Sequence, residues 1–202
     1  MVTQVLERRP GSQNTTLKIL GISGSLRKES YNTALLKAAK ELTPRGVELE
    51  IFDISSLPLF SQDLERDPPE PVRRFKAAIR GADAILFATP EQNYAISAAL
   101  KNAIEWGNRP EDDNSWDGKP AAIVSASTSA RGGARAQLNL RQIMVELNVY
   151  PMNQPQLLVA QAQEKFDSAM NLTDAKLRDR LRDLVLALVE WTRKMRPGGL
   201  GV

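Results

Sequence analysis

Cysteine and histidine are both missing from this chain of 202 residues. Their absence excludes disulfide scaffolds, thiol nucleophiles, Ser-His-Asp and Cys-His triads, histidine-ligated zinc and imidazole acid–base catalysis. Aromatic residues are also scarce, at 5%, and no stretch approaches the ~18 consecutive apolar residues of a membrane span. Charge of one sign is lacking too, since 27 Lys and Arg face 24 Asp and Glu for a net +3. The cations are interleaved with acids, as in Arg178-Asp179-Arg180-Leu181-Arg182-Asp183, with no basic block or aromatic-rich RNA motif, so no nucleic-acid partner is expected. What is present is ordinary globular usage, 42% hydrophobic and 25% charged, in a length that suits one domain. An enzyme with so few reactive side chains would take difficult chemistry from a bound cofactor.

Residues 1–16 are polar, carry Pro10-Gly11 and lack the apolar region of an export signal, and 196–202 are rich in Pro and Gly. Both ends are expected to be mobile tails around a domain at 17–195, in a cytoplasmic protein with no membrane partner. Inside that domain apolar runs alternate with amphipathic stretches. Strands are predicted at 17–22, 47–52, 84–88, 121–124 and 157–159, and helices at 33–42, 71–80, 98–106 and 134–147. A last helix of about 22 residues follows Thr173 as its N-cap. Strand runs this apolar require helices on both faces, which predicts an α/β fold, a flavodoxin-like doubly wound five-stranded parallel sheet of order 2-1-3-4-5. The segment 53–69, with Pro58, Pro68 and Pro69, reads as a surface connection in preference to a lid. Trp106, Trp116, Trp191, Met144 and Met195 read as packing or contact residues.

Ligands of such sheets bind beyond the carboxyl ends of the strands, where three loops are unusual. The first, Ser23-Gly24-Ser25-Leu26-Arg27-Lys28-Glu29-Ser30-Tyr31-Asn32-Thr33, is neither GxxxxGK[ST] nor GxGxxG. It offers the hydroxyls of Ser23, Ser25 and Ser30, the amide of Asn32, the cation Arg27 and free N–H groups at a helix start, a set suited to one phosphate dianion. The second contains Pro90, Glu91, Gln92, Asn93 and Tyr94, whose backbone can meet the edge of a planar heterocycle. Asn93 either locks this turn through its own backbone, the favoured role, or touches ligand; Tyr94 is a lid over a ring or plain packing. The third runs from Ser125 through Ser127 to Arg131, Gly132, Gly133 and Arg135. Its paired glycines allow positive φ and close approach to a flat ligand, and its arginines add positive potential. On this reading Gly133→Val should hinder ring binding and leave folding largely intact.

The run Gly21-Ile22-Ser23-Gly24-Ser25-Leu26-Arg27 with Ser30 and Asn32, then Pro90-Glu91-x-Asn93-Tyr94, then Leu100-Lys101-Asn102-Ala103-Ile104-Glu105-Trp106, resembles the NADPH-dependent FMN reductase family. That family includes chromate, quinone and azo-dye reductases, and the similarity spans roughly 18–160 with Gly132-Gly133-Ala134-Arg135-Ala136-Gln137 in the expected place. Gln92 stands where the family usually has Tyr or Phe, and Ser97-Ala98 where it usually has Pro-Gly. The resemblance implies FMN as cofactor, its phosphate held by Ser23, Ser25, Arg27, Ser30 and Asn32 with Leu26 in the same loop. It further implies that 90–94 and Ser127 line the isoalloxazine, with Gly132 and Gly133 near its polar edge. It implies an NADPH- or NADH-dependent oxidoreductase that passes hydride through FMN to a small acceptor in a ping-pong cycle, as a homodimer or homotetramer. Arg131, Gly132 and Gly133 are then candidates for stabilising negative charge on the reduced ring, and Arg27, Arg109 or Arg131 for the 2′-phosphate of NADPH. The rival readings are an electron carrier of the flavodoxin type without pyridine-nucleotide activity and a cofactor-free scaffold.

Overall fold

The computed structural model describes residues 16–195, so the expected tails lie outside the described residues apart from Thr16. The chain runs β1 (Leu17–Ser23), α1 (Tyr31–Glu41), β2 (Val47–Phe52), α2 (Glu70–Gly81), β3 (Ala84–Ala88), α3 (Ala98–Asn108), β4 (Pro120–Ala126), α4 (Ala134–Glu146), β5 (Tyr150–Pro151), β6 (Leu157–Val159) and α5 (Ala175–Met195). All strand pairs are parallel, in the order β2-β1-β3-β4-β5 with β6 also on β4. The expected fifth strand is thus two short pieces along one edge, β5 beside Pro120 and Ala121 and β6 beside Val124 to Ala126. The break falls at 152–156, where Pro155 has no N–H to give the ladder.

Strands β3 and β4 are buried at every position because both faces of the sheet are covered. Successive residues of β1 and β3 alternate between layers. Ile19 and Leu86 pack with Leu35 and Leu36 of α1 and with Leu181, Leu184, Val185 and Leu188 of α5. Leu20, Ile22, Ile85 and Phe87 pack with Val72, Phe75 and Ile79 of α2, with Leu100 and Ile104 of α3, and with Leu140 and Met144 of α4. Only β2 alternates in exposure, with Leu49 buried between exposed Glu48 and Glu50, as its edge position requires. Helix α5 is capped by Asp174, whose carboxylate accepts the Leu177 N–H at 2.9 Å. Thr173, the expected cap, instead donates its hydroxyl to Lys165 O, one residue too early to reach the helix.

The 53–69 segment is a strap lashed to α3. The Pro58 carbonyl accepts from Asn102 Nδ2 at 2.9 Å and from the indole of Trp106 at 2.7 Å, and Asn102 Oδ1 accepts the Phe60 N–H at 2.8 Å. Two residues of the Leu-Lys-Asn-Ala-Ile-Glu-Trp run therefore serve architecture. Trp106 and Trp116 are core residues, Trp191 donates to Tyr150 O at 2.8 Å, and Trp116 lies directly over Gly107 in α3. Behind α3, the nearly buried ammonium of Lys76 holds the 109–113 turn, bonding the carbonyls of Arg109 and Asp113 and the Asp113 carboxylate.

Two tests follow from this packing. A methyl group at Gly107 would overlap the Trp116 indole, so Gly107→Ala is expected to lower unfolding free energy by about 2 kcal/mol in urea titration. Gly81→Ala, which meets open space, should be neutral or raise it by up to about 1 kcal/mol. Burial raises the pKa of Asp113, but Lys76 and Arg80 more than reverse this and hold it below the ordinary carboxylate value. A depressed folded value gives stability that is complete above an unfolded pKa of about 4 and is lost as pH falls through the folded one. Melting temperature should therefore drop more steeply between about pH 4 and pH 2 in the parent than in Asp113→Asn.

Candidate functional site

The loop after β1 is wound around its own hydroxyls. Ser23 Oγ accepts the Ser25 N–H at 3.3 Å and the Thr33 hydroxyl at 2.9 Å; Ser25 Oγ accepts the Arg27 N–H at 3.4 Å. Ser30 is the N-cap of α1 and accepts the Thr33 N–H at 3.2 Å. An accepting serine keeps its own O–H proton, so Ser25 and Ser30 remain able to donate to a ligand. The N–H groups of Tyr31 and Asn32, in the first turn of α1, have no acceptor among the described residues and carry the positive end of the helix dipole. Arg27 is exposed and makes no ion pair among the described residues.

This loop is fixed from outside at three points. Gly24 N–H donates to Ala88 O at the end of β3, at 2.8 Å. The Ser97 hydroxyl, which also caps α3 by accepting the Leu100 N–H, donates to Gly24 O at 2.5 Å. The Asn32 amide bonds both main-chain groups of Ala126 at the end of β4, its Nδ2 donating at 3.0 Å and its Oδ1 accepting at 2.9 Å. Asn32 thus offers a ligand its backbone N–H, while its side chain ties the first loop to the third.

The loop after β3 reverses at 92–95, where Gln92 and Ala95 exchange N–H···O bonds of 3.0 Å. The two residues between them, Asn93 and Tyr94, have φ of 49° and 70°, the left-handed pair of a tight hairpin turn. Asn93 locks this loop through that conformation and not through a side-chain bond. The Glu91 carboxylate accepts the Arg135 N–H at 3.0 Å in the first turn of α4, and the Arg135 guanidinium lies 3.6 Å over the Tyr94 ring. With Glu91 Oε1 also 3.6 Å from Arg135 Nη1, this cation is paired and stacked. Its expected role as free positive potential is therefore reduced to joining the second loop to the third.

In the loop after β4, Ser127 Oγ and Ser129 Oγ are 3.0 Å apart. Gly132 and Gly133 are buried with φ of 60° and 85°, Gly133 being the N-cap of α4. A Cβ on Gly133 would stand 2.7 Å from Ser125 Cβ and 2.9 Å from its Oγ; one on Gly132 would crowd Leu158 and Ala160. Their bare Cα atoms allow close approach to strands β4 and β6. Beneath them Ser125 Oγ donates to Gly132 O and accepts from the buried Gln137 amide.

The three loops enclose a cleft of about 550 Å³, within the range of small-molecule sites. Of the residues expected at a site, Ser25, Leu26, Arg27, Ser30, Asn32, Pro90, Glu91, Gln92 and Ser127 line it. Ser23, Gly132 and Gly133 do not, being buried behind the wall, nor do Asn93 and Tyr94, exposed at the hairpin tip. The start of α3, Ser97 to Ala99, and Tyr31 also line it and were not anticipated. The signal for Ser97 was its N-cap position directly after the second loop. No cluster of three or more acidic side chains able to hold a metal occurs among the described residues, and none of their helices is long and apolar enough to cross a membrane.

The family model for NADPH-dependent FMN reductases matches residues 17–164. An NAD(P)H-dependent FMN reductase of Pseudomonas aeruginosa is 47% identical over 181 residues, covering 89% of this chain and 97% of that protein. An NADPH:quinone oxidoreductase of Arabidopsis thaliana is 43% identical over 187 residues, covering 89% and 94%. The solved structure of a flavoenzyme NAD(P)H:(acceptor) oxidoreductase from Paracoccus denitrificans superposes with a TM-score of 0.81 at 36% identity, covering 89% of this chain and 98% of that one.

Because Gly133 abuts Ser125, the sequence expectation for its replacement is reversed. Gly133→Val should lower unfolding free energy by at least about 2 kcal/mol in urea, through overlap and a strained positive φ together. A Val variant as stable as its parent would show that the third loop can shift away from β4.

Proposed function

The chain belongs to the NADPH-dependent FMN reductase family and is an FMN-dependent NAD(P)H oxidoreductase, and from that premise we propose how its cleft holds the cofactor and works on a quinone-like acceptor. The observation that carries the proposal is the joining, in one cleft, of a hydroxyl-lined helix start and the two loops beyond β3 and β4. The donors present fit a phosphate monoester. Ser25 and Ser30 hydroxyls, the N–H groups of Tyr31 and Asn32, and the Arg27 guanidinium converge on one wall with no carboxylate on that wall. Ser23 is a support here, since it does not line this cleft and accepts from Ser25 and Thr33 within the loop.

FMN supplies the two-electron chemistry that joins NAD(P)H to the acceptor. The protein binds and orients. Pro90 to Gln92 and Ser127 face the remaining length of the cleft, and their main-chain groups are the donors and acceptors available to a heterocycle edge. Gln92, exposed on that wall, replaces ring stacking with an amide, so planar contact must come from Leu26 and the backbone. Arg131 is exposed and unpaired among the described residues, a cation available beside the third loop. Gly132 and Gly133 contribute only by shaping that loop. Donor and acceptor use this cleft in turn, in a ping-pong order. Cytoplasmic location and assembly into a dimer or tetramer belong to the same reading; Leu138 and Val145 of α4, 66% and 81% exposed, are the apolar surface available for assembly.

Replacing Ser25 and Arg27 together with alanine should weaken FMN by about 3 kcal/mol, near a hundredfold, while riboflavin affinity changes little, read by fluorescence titration. Equal weakening of both ligands would contradict a phosphate role. Anaerobic addition of NADPH to the FMN-loaded protein should bleach the visible flavin band. Persistence of the band would favour a carrier without pyridine-nucleotide activity.

A further inference from the structure

A second cleft of about 410 Å³ lies on the other side of the first loop, over the carboxyl ends of β1 and β2. It shares Ser25, Leu26 and Arg27 with the first cleft and receives nothing from the loops beyond β3 and β4. Leu26, 57% exposed, stands on the ridge between them. Its chemistry is divided. Ile51, Phe52 and Ile54 give it an apolar lining, whereas Arg27 and Lys28, exposed and without ion-pair partners among the described residues, stand at its rim with Ser55. Asp53 is the one carboxylate lining it; it follows the last residue of β2 and is already turned to the Ser55 N–H at 2.9 Å. An apolar surface beside two cations and a carboxylate at the end of the second strand suits a purine ribonucleotide, with the base on the surface, phosphate at the cations and a ribose hydroxyl at the acid.

A small acceptor held there would be cut off from the 90–92 and 127–128 walls by the intervening loop. A ligand long enough to cross Leu26, with its reacting group at one end and a phosphorylated adenosine at the other, can occupy both clefts. We propose that the second cleft holds the 2′-phosphoadenosine end of NADPH, with Lys28, which lines this cleft and not the first, facing the 2′-phosphate. This rests on the reading of the chain as an NAD(P)H-dependent enzyme. It replaces the candidate arginines with a lysine: Arg27 is engaged by the FMN phosphate, Arg109 is bonded to Glu65 and Glu111, both at 3.0 Å, and Arg131 is on the third loop, outside this cleft.

The test uses adenosine 2′,5′-bisphosphate, 5′-AMP and inorganic phosphate as probes of the FMN-loaded protein. The bisphosphate is expected to bind in calorimetry, to compete with NADPH in turnover and to leave FMN in place, with 5′-AMP and inorganic phosphate at least about tenfold weaker. Lys28→Gln should weaken the bisphosphate and raise KM for NADPH by about fivefold, leaving KM for NADH and kcat unchanged. Asp53→Asn, which keeps the bond to Ser55 but loses the second acceptor oxygen, should weaken the bisphosphate and 5′-AMP by the same factor of about twofold and leave FMN affinity unchanged. A protein that turns over NADPH yet does not bind the bisphosphate, or binds it no better than inorganic phosphate, overturns the assignment, as does a Lys28→Gln variant that shifts both nucleotides alike. Bisphosphate binding sensitive to Lys28 in a protein that NADPH does not reduce would support the cleft and refute the enzymatic reading.

Discussion

The closure of the Asn32 amide on both main-chain groups of Ala126 is the constraint on which the site depends. It joins the first turn of α1 to the end of β4, across β1 and β3, with no charge involved. A buried pair of complementary hydrogen bonds is costly to break because each broken bond leaves a desolvated polar group without a partner. The Gly24–Ala88 and Ser97–Gly24 bonds add β3 and α3 to the same joint. The loop is therefore held by three separate elements before any ligand arrives, and its free hydroxyls and N–H groups are fixed in direction. Such preorganisation compensates for a chain without histidine or cysteine, whose work is placement and not bond-making.

Most of the fold was legible because a sheet covered on both faces has apolar strands that declare themselves. The strands at 47–52, 84–88 and 157–159 and the start of the helix at 98 appear where the pattern puts them. The two-residue β5 escaped, since a pair carrying Pro151 has too few positions to show a period and is made a strand only by β4. Thr173 and Asp174 are both good caps in isolation, and which one serves depends on Lys165, nine residues before Asp174 in sequence but adjacent in space.

At the site, residue types revealed the loops and not the division of labour within them. Asn32 and Glu91 look like ligand contacts on paper, yet one spends its side chain on a strand and the other pairs with Arg135 at the edge of the cleft. The glycine pair shows the same limit: positive φ can be read from glycine, but that Ser125 presses against the bare Cα of Gly133 cannot. The Asn102 and Trp106 side chains, part of the resemblance, hold the 53–69 strap, so recurrence of a motif and contact with a ligand are separate matters.

The two margins of the sheet have a consequence for self-association. One margin is β2, whose outward residues include the like-charged Glu48 and Glu50; the other is divided between β5 and β6 and interrupted by prolines 151 and 155. Neither offers the long, flat, uncharged row of open amides on which copies could polymerise edge to edge. Growth of the sheet from copy to copy is therefore blocked at both margins, by like charge at one and by missing N–H groups at the other.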